Sequence, residues 1–284
     1  MNKWIKKSAI LANSDGYLDR LQSVYPVTLT EEREIPDEII QEIRRIFEAH
    51  DDEKLIKLLL CFEKFPIKDP YVAFLRQKRG VFIRKNPETI RRVAEQLYSL
   101  GFNGVVKGIK EPKEFNRQIG TLFKRWLPEM GFPLLSESEF ETFKGICLLS
   151  GSDKFLKDYA QDKLGYDIEK GIDMVAKAGN TYFFLGEAKF LTDYGGHQTA
   201  QFEDALRTAS FEKINCVGMA ILDGVVWIKG KNKMFERICK SGQIILSALL
   251  LKDFLLESNN TGDLGTKESR EEYGNDDVLF EKIE

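Results

Sequence analysis

An α/β fold is what this sequence predicts: apolar strands among helices, with a mainly helical region N-terminal to them. Three observations predict it. Apolar residues recur at helical spacing through the first hundred or so positions. From Gly171 onward the pattern turns into short apolar strands around tight turns. Finally, 43% hydrophobic residues over 284 positions suffice for a substantial buried core.

Taken in order, "PDEIIQEIRRIFEAHD" places Ile39, Ile40, Ile43, Ile46 and Phe47 on one helical stripe. "DDEKLIKLLLCFEKF" follows, capped by Asp51 or Asp52 and ended before Pro66. "NPETIRRVAEQLYSLGF" carries Asn86 as cap, Pro87 in its first turn and Gly101 as its stop. In "EPKEFNRQIGTLFKRWLPEMGF", Phe115, Ile119, Leu122, Phe123 and Trp126 share a face, and Pro128 ends the helix. "SESEFETFKGICLLSG" reads as a helix capped by Ser136 or Ser138, and "SGSDKFLKDYAQDKLGY" as one running from a Ser152 cap to Gly165. "GIDMVAK" and "TYFFLGEAKF" form a hairpin about a turn at Ala178-Gly179-Asn180. A polar loop, "LTDYGGHQTAQ", leads to the helical "FEDALRTASFEK". "INCVGMAILDGVVWIKG" reads as a strand, a turn at Asp223-Gly224 and a second strand, and two more helices close the fold. "IILSALLLKDFLL" is read as part of a buried helix, interrupted by Lys252 and Asp253.

Composition excludes several function classes. No apolar run approaches the length of a membrane span, and the N-terminus carries no signal-peptide pattern, so the expected compartment is the cytoplasm. Cys61, Cys147, Cys216 and Cys239 form no CxxC pair, and with His50 and His197 they match no zinc spacing. A metal here needs oxygen ligands, which points to magnesium, manganese or calcium. The net charge of -3 conceals a basic middle: from Lys64 to Arg125 basic residues outnumber acidic ones roughly three to one. Such a region can hold a polyanion even in a slightly acidic chain.

Three residues of the hairpin carry charges that an ordinary hairpin does not need. Side chains alternate across a strand, so Glu187 and Lys189 share a face while Ala188 points away. With the turn centred near Gly179, Asp173 pairs close to Leu185 and becomes a diagonal neighbour of Glu187, about 7 Å away at the backbone. Two carboxylates that close repel, and a divalent cation resolves the repulsion. The Ala188 carbonyl offers another oxygen ligand. A lysine beside them can hold or activate a water and contact a phosphate, which completes the parts for phosphodiester hydrolysis.

Asp173 followed by Glu187-Ala188-Lys189 resembles the core of the PD-(D/E)xK nucleases. The longer "KGIDMVAKAGNTYFFLGEAKFLTDYGGHQTAQFEDAL" resembles type II restriction endonucleases of the branch whose motif reads E-A-K, with Ile172 in place of the proline before the Asp. The wider likeness covers roughly residues 110–230, including "NRQIGTLFKRWL" and "VGMAILDGVVW". The resemblance implies a restriction-endonuclease-like core, a mixed central sheet flanked by helices, and magnesium-dependent cleavage of double-stranded DNA, with manganese a possible substitute, leaving 5′-phosphate and 3′-hydroxyl ends. It makes Asp173 and Glu187 metal ligands and Lys189 the water-positioning residue. A further carboxylate often comes from a preceding helix, a place that Gln118, Glu114 or Glu141 can take; Gln118 borders the apolar face of its helix. The class implies a two-fold homodimer and a cognate DNA methyltransferase in the same restriction-modification system, not in physical contact. The expected division is a helical N-terminal DNA-gripping region at 1–109, a nuclease core at 110–257 and an acidic, disordered tail at 258–284.

Restriction enzymes commonly read bases from segments near the catalytic strand. Asp193, Tyr194, His197, Gln198 and Gln201 carry donors and acceptors suited to major-groove edges. Arg76, Lys78, Arg79, Arg84 and Lys85, with Arg91 and Arg92, can neutralise phosphates. Ser150-Gly151-Ser152 opens a helix whose backbone N–H groups can hold a phosphate, although capping alone accounts for Ser152. Two other readings use the same residues: a repair or recombination nuclease that recognises DNA structure, or a non-catalytic DNA-binding module.

Overall fold

The computed structural model describes residues 1–26, 32–77, 79–111, 118–169, 171–228 and 233–261, and of residues 79 and 80 only the backbone. The chain divides into two compact units, one made of Met1–Val27 with Phe115–Glu284, the other of Thr28–Glu114. The grouping of residues 1–109 into one region is corrected by this division. The chain starts with α1 (Lys3–Ala12) and α2 (Tyr17–Val24), and both belong to the sheet-bearing unit. Trp4, Ile5, Leu21 and Val24 are buried in the same core as Phe184, Ala188 and Ile221. Local periodicity reveals the helices but not which distant surface covers their apolar face.

The unit Thr28–Glu114 is helical among its described residues: α3 (Asp37–Glu48), α4 (Asp52–Leu59), α5 (Pro70–Gln77), α6 (Arg79–Lys85), α7 (Pro87–Leu100) and α8 (Phe102–Lys110). Its own core gathers Ile43, Ile46, Leu55, Leu59, Val93, Leu97 and Val105. Asp51 caps α4 by accepting from the Lys54 N–H at 3.1 Å. Asn86 stands before α7 but turns its amide back onto the Phe82 carbonyl at 2.7 Å.

The other unit continues with α9 (Ile119–Trp126), α10 (Glu137–Thr142), α11 (Asp153–Leu164), α12 (Gly196–Ala209), α13 (Lys233–Lys240) and α14 (Leu251–Thr261). They flank a mixed sheet of β1 (Leu134–Leu135), β2 (Cys147–Leu149), β3 (Met174–Ala178), β4 (Tyr182–Leu191), β5 (Glu212–Lys213), β6 (Cys216–Gly224) and β7 (Ile244–Leu246). The strand order is β1-β2-β3-β4-β6-β5, with β7 also paired to β6. Strand β4 is antiparallel to β3 and parallel to β6. Its apolar run puts Phe184 and Leu185 into the cores on opposite faces of the sheet.

Several expectations from the sequence change. Ala178 pairs with Tyr182, so the hairpin turn is centred on Asn180 and not Gly179. The pairing shifts by two residues, and Val175, not Asp173, lies opposite Leu185. "ESEFET" is helical, with a capping box between Ser136 and Glu139, but "CLL" is strand β2. "IIL" is strand β7, and the helix after it begins beyond Ser247. Asp223-Gly224 is not a hairpin turn: β6 runs through both and ends in a 3-10 turn at Val225–Trp227. Gly224 has φ of +90°, and a Cβ there would lie 2.1 Å from the Leu191 carbonyl oxygen, so the position needs glycine. The expected tail boundary at 258 falls inside α14, where Ser258 is buried; residues 262–284 lie outside the described residues.

Asp223 ties α1 and α2 to the sheet. Its carboxylate is fully buried and accepts from four donors: the Tyr17 hydroxyl (3.0 Å), the Tyr25 hydroxyl (3.1 Å), the Ser247 hydroxyl and the Ala248 N–H (3.2 Å). That matches the four lone-pair positions of an ionised carboxylate. Burial still pushes its pKa up to about 6, while the bonds from Ser247, Ala248, Tyr17 and Tyr25 pull it back down. Ser8 completes the join by accepting from the Ser247 N–H at 2.9 Å. Lys177 is a second buried charge, 1% exposed; its ammonium donates to the carbonyls of Phe140 and Glu141 in the last turn of α10.

Candidate active site

Strand β4 outruns one of its neighbours. It pairs with β6 from Phe183 to Leu191, but β3 accompanies it only as far as Gly186. The ladder closes with the Asp173 N–H donating to the Gly186 carbonyl at 2.8 Å. At the next position the Ala188 N–H finds a side chain in place of a strand, donating to Asp173 Oδ2 at 2.9 Å. The two backbone groups of one strand residue face the same edge, so the Ala188 carbonyl is turned to this gap as well. Asp173 stands one residue beyond the last β3–β4 pair, Met174–Gly186, and Glu187 one residue beyond it on β4.

Asp173 and Glu187 are each about 7% exposed. Burial raises the Asp173 pKa above the usual carboxylate range, against the charge of Lys189 and the Ala188 N–H, which lower it. The Lys189 ammonium is ion-paired with Glu187. Burial works against its charge, but Glu187 and Asp173 together outweigh that and raise its pKa. Lys189 is thus held as a cation beside two carboxylates. Among the described residues no group of three or more His, Cys, Asp or Glu side chains is gathered as a metal site. The oxygens on offer are the two carboxylates and the Ala188 carbonyl, a donor set that suits a hard cation such as magnesium.

Helix α9 reaches this place through a residue the sequence reading passed over. A Cβ on Gly120 would stand 2.8 Å from Asp173 Oδ1, so the missing side chain lets the helix approach the carboxylate. The signal was a glycine near the start of an otherwise apolar helical face. Gln118 is the cap residue of the same helix, two positions earlier. Glu114 lies outside the described residues, and Glu141 is engaged elsewhere, in an ion pair with Lys163 on α11. Asp173 also feels the charges of Asp153 and Lys124, neither of which was a candidate.

The segment after β4 differs from the expected loop. Helix α12 begins at Gly196, so His197, Gln198 and Gln201 are helical. His197 and Gln201, one turn apart, contact each other through Nε2 and the side-chain amide at 3.2 Å, and His197 is exposed. Asp193 and Tyr194 are exposed, though the Tyr194 hydroxyl donates to the Val225 carbonyl. Gln198 is corrected: it is 6% exposed, and its amide oxygen accepts from the Thr192 N–H at 3.3 Å, so it braces the loop and is not presented to a groove. In the helical unit the basic charge is partly spent internally. Arg76 donates to the Phe62 carbonyl, Arg91 pairs with Glu88, and Arg92 with Asp69. Arg84 and Lys85 are exposed. Lys78 and the Arg79 side chain lie outside the described residues.

A mixed sheet flanked by helices, with two buried carboxylates and a half-buried lysine where one strand outruns its neighbour, is consistent with a restriction-endonuclease-like protein. The chain belongs to the Tsp45I type II restriction enzyme family, whose model matches residues 2–258. It is therefore a type II site-specific restriction endonuclease with DNA as its substrate. The match runs through both compact units. No curated protein and no solved structure matched the chain. No helix among the described residues is long and apolar enough to cross a membrane.

Proposed function

We propose that the chain is a PD-(D/E)xK nuclease that cleaves double-stranded DNA with magnesium, manganese being a possible substitute, at the gap beside Ala188. Asp173, Glu187 and the Ala188 carbonyl would hold the ion, which when bound supplies charge neutralisation at the phosphate and a more acidic water. Ala188 fixes the orientation of Asp173 through its N–H. Lys189, cationic and half-neutralised by Glu187, orients the attacking water and offers a proton-bearing contact to a non-bridging phosphate oxygen. Water adds to phosphorus, the bond to the 3′ oxygen breaks, and that oxygen takes up a proton, which leaves 5′-phosphate and 3′-hydroxyl ends. Gln118 completes the site from the α9 side.

The observation that carries this reading is the substitution of the Asp173 carboxylate for a strand at Ala188, with Lys189 ion-paired to Glu187 and close enough to feel the charge of Asp173. We place base reading on Asp193, Tyr194, His197 and Gln201, phosphate contacts on Arg84 and Lys85, and DNA gripping on the helical unit. A homodimer fits a palindromic site, and a cognate methyltransferase would protect the host DNA in the cytoplasm. A digest of unmethylated phage DNA tests the chemistry. The expected result is a fixed set of fragments that requires magnesium and disappears in Asp173→Ala and Lys189→Ala. Cleavage persisting in Asp173→Ala would move the active site elsewhere, and selective cutting of branched DNA would favour a structure-specific enzyme.

A further inference from the structure

A cleft of about 500 Å³ opens between α9 and the start of α11. It is lined by Thr121, Lys124 and Arg125 on one side and by Ser152, Asp153 and Lys154 with Gly151 on the other. None of these side chains is apolar, and three are cations against one anion. Small-molecule sites are enclosed, whereas this cleft is open and rimmed by charged side chains. Its chemistry suits an oxyanion that arrives attached to something larger.

Its position is fixed relative to Asp173 from both walls. On the α9 side, Gly120 abuts Asp173 Oδ1 and Thr121 is the next residue. On the α11 side, a Cβ at Gly171 would lie 3.7 Å from the Asp153 Cβ, two residues before Asp173. Lys124 spans the two walls in an ion pair with Asp153. That pair is exposed on the Asp153 side and so contributes little to stability by itself. Arg125 and Lys154 are exposed.

We propose that this cleft binds a backbone phosphate of the DNA strand next to the scissile one, with Arg125 and Lys154 as its principal cations and Thr121 and Lys124 as supporting donors. The assignment rests on the reading of Asp173 as an active-site residue, since a strand laid across the gap at Ala188 must continue over one of its rims. Ser152 already accepts from the Phe155 N–H at 3.2 Å to cap α11. A phosphate seated here would fix the register of the strand without reading its bases.

The test measures binding of the full-length protein to duplex DNA in EDTA, so that no cleavage step enters. Wild type is compared with Arg125→Gln combined with Lys154→Gln, on a duplex carrying the site found by digestion and on an unrelated duplex. Both side chains are exposed, and an unchanged melting midpoint controls for folding. The expected result is weaker binding of both duplexes by the same factor, about tenfold, with the slope of log Kd against log salt reduced by about one. Unchanged affinity and slope would overturn the proposal. So would a loss confined to the cognate duplex, which would make the cleft a base-reading surface. Failure of the catalytic reading shows separately, as cleavage by Asp173→Ala.

Discussion

Asp173 and Asp223 are both buried aspartates at the ends of neighbouring parts of one sheet, and they are treated in opposite ways. Asp223 is fully buried and receives four donors, from two tyrosines, a serine and a backbone amide. Asp173 has the Ala188 N–H on one oxygen, a glycine against the other, and a lysine and a second carboxylate nearby. The first is a saturated joint. The second carries a carboxylate whose charge is answered largely by fields, not by bonds. A site of that kind costs stability and leaves oxygen available to a cation, the trade expected of a functional group and not of a structural one.

The comparison breaks most sharply under substitution. Asp173→Ala should lower cleavage by at least about 10³-fold, or roughly 4 kcal/mol of transition-state stabilisation, while the thermal midpoint holds or rises. Kinetics and calorimetry on the same preparation check it; a collapse in stability would make Asp173 structural. Asp223→Ala should do the reverse, stranding buried donors and costing roughly 3 kcal/mol or more in denaturant unfolding.

The pH dependence sharpens the contrast. The folded pKa of Asp223 is raised to about 6, so its neutral form is favoured in the folded state. The associated stability is fully present below about pH 4, the ordinary Asp value, and is lost as pH rises through about 6. The shift of roughly two units corresponds to about 3 kcal/mol. Thermal midpoints measured from pH 4 to 7 should carry that downward contribution in wild type and lack it in Asp223→Asn. The smallest expected effect is at Gly120: Gly120→Ala should cost about tenfold in activity by displacing Asp173 Oδ1, with a stability change under about 1 kcal/mol, since a misplacement of that size is felt in rate first. Equal activity would show that the carboxylate has room to move.

The hairpin was legible because two apolar runs flank a Gly-Asn turn, and placing the turn one residue early shifted the register by two without changing which strands pair. Features that depend on distant partners were not legible. Asp223-Gly224 carries a turn signature, but its carboxylate is recruited by Tyr17 and Tyr25, some two hundred residues earlier. "IIL" reads as the front of a buried helix until β6 is there to pair with it. Gln198 looked like a base-reading amide because sequence does not reveal that its helix begins at Gly196 and turns it inward. The basic stretch overstated the free charge, since Arg91 and Arg92 have acidic partners close at hand.

The joint at Asp223 also sets the order in which the enzyme becomes whole. Ser8 and Ser247 meet across 239 residues, and Tyr17 and Asp223 across 206. During synthesis α1 emerges more than two hundred residues before its partners. Contacts of such sequence separation form late, because a long loop must close before they give anything back. A half-made chain has neither the strand that carries Asp223 nor the serine that completes it. A DNA-cutting protein built this way completes the joint between α1, α2 and the sheet only after the segment from Asp223 to Ser247 has been made.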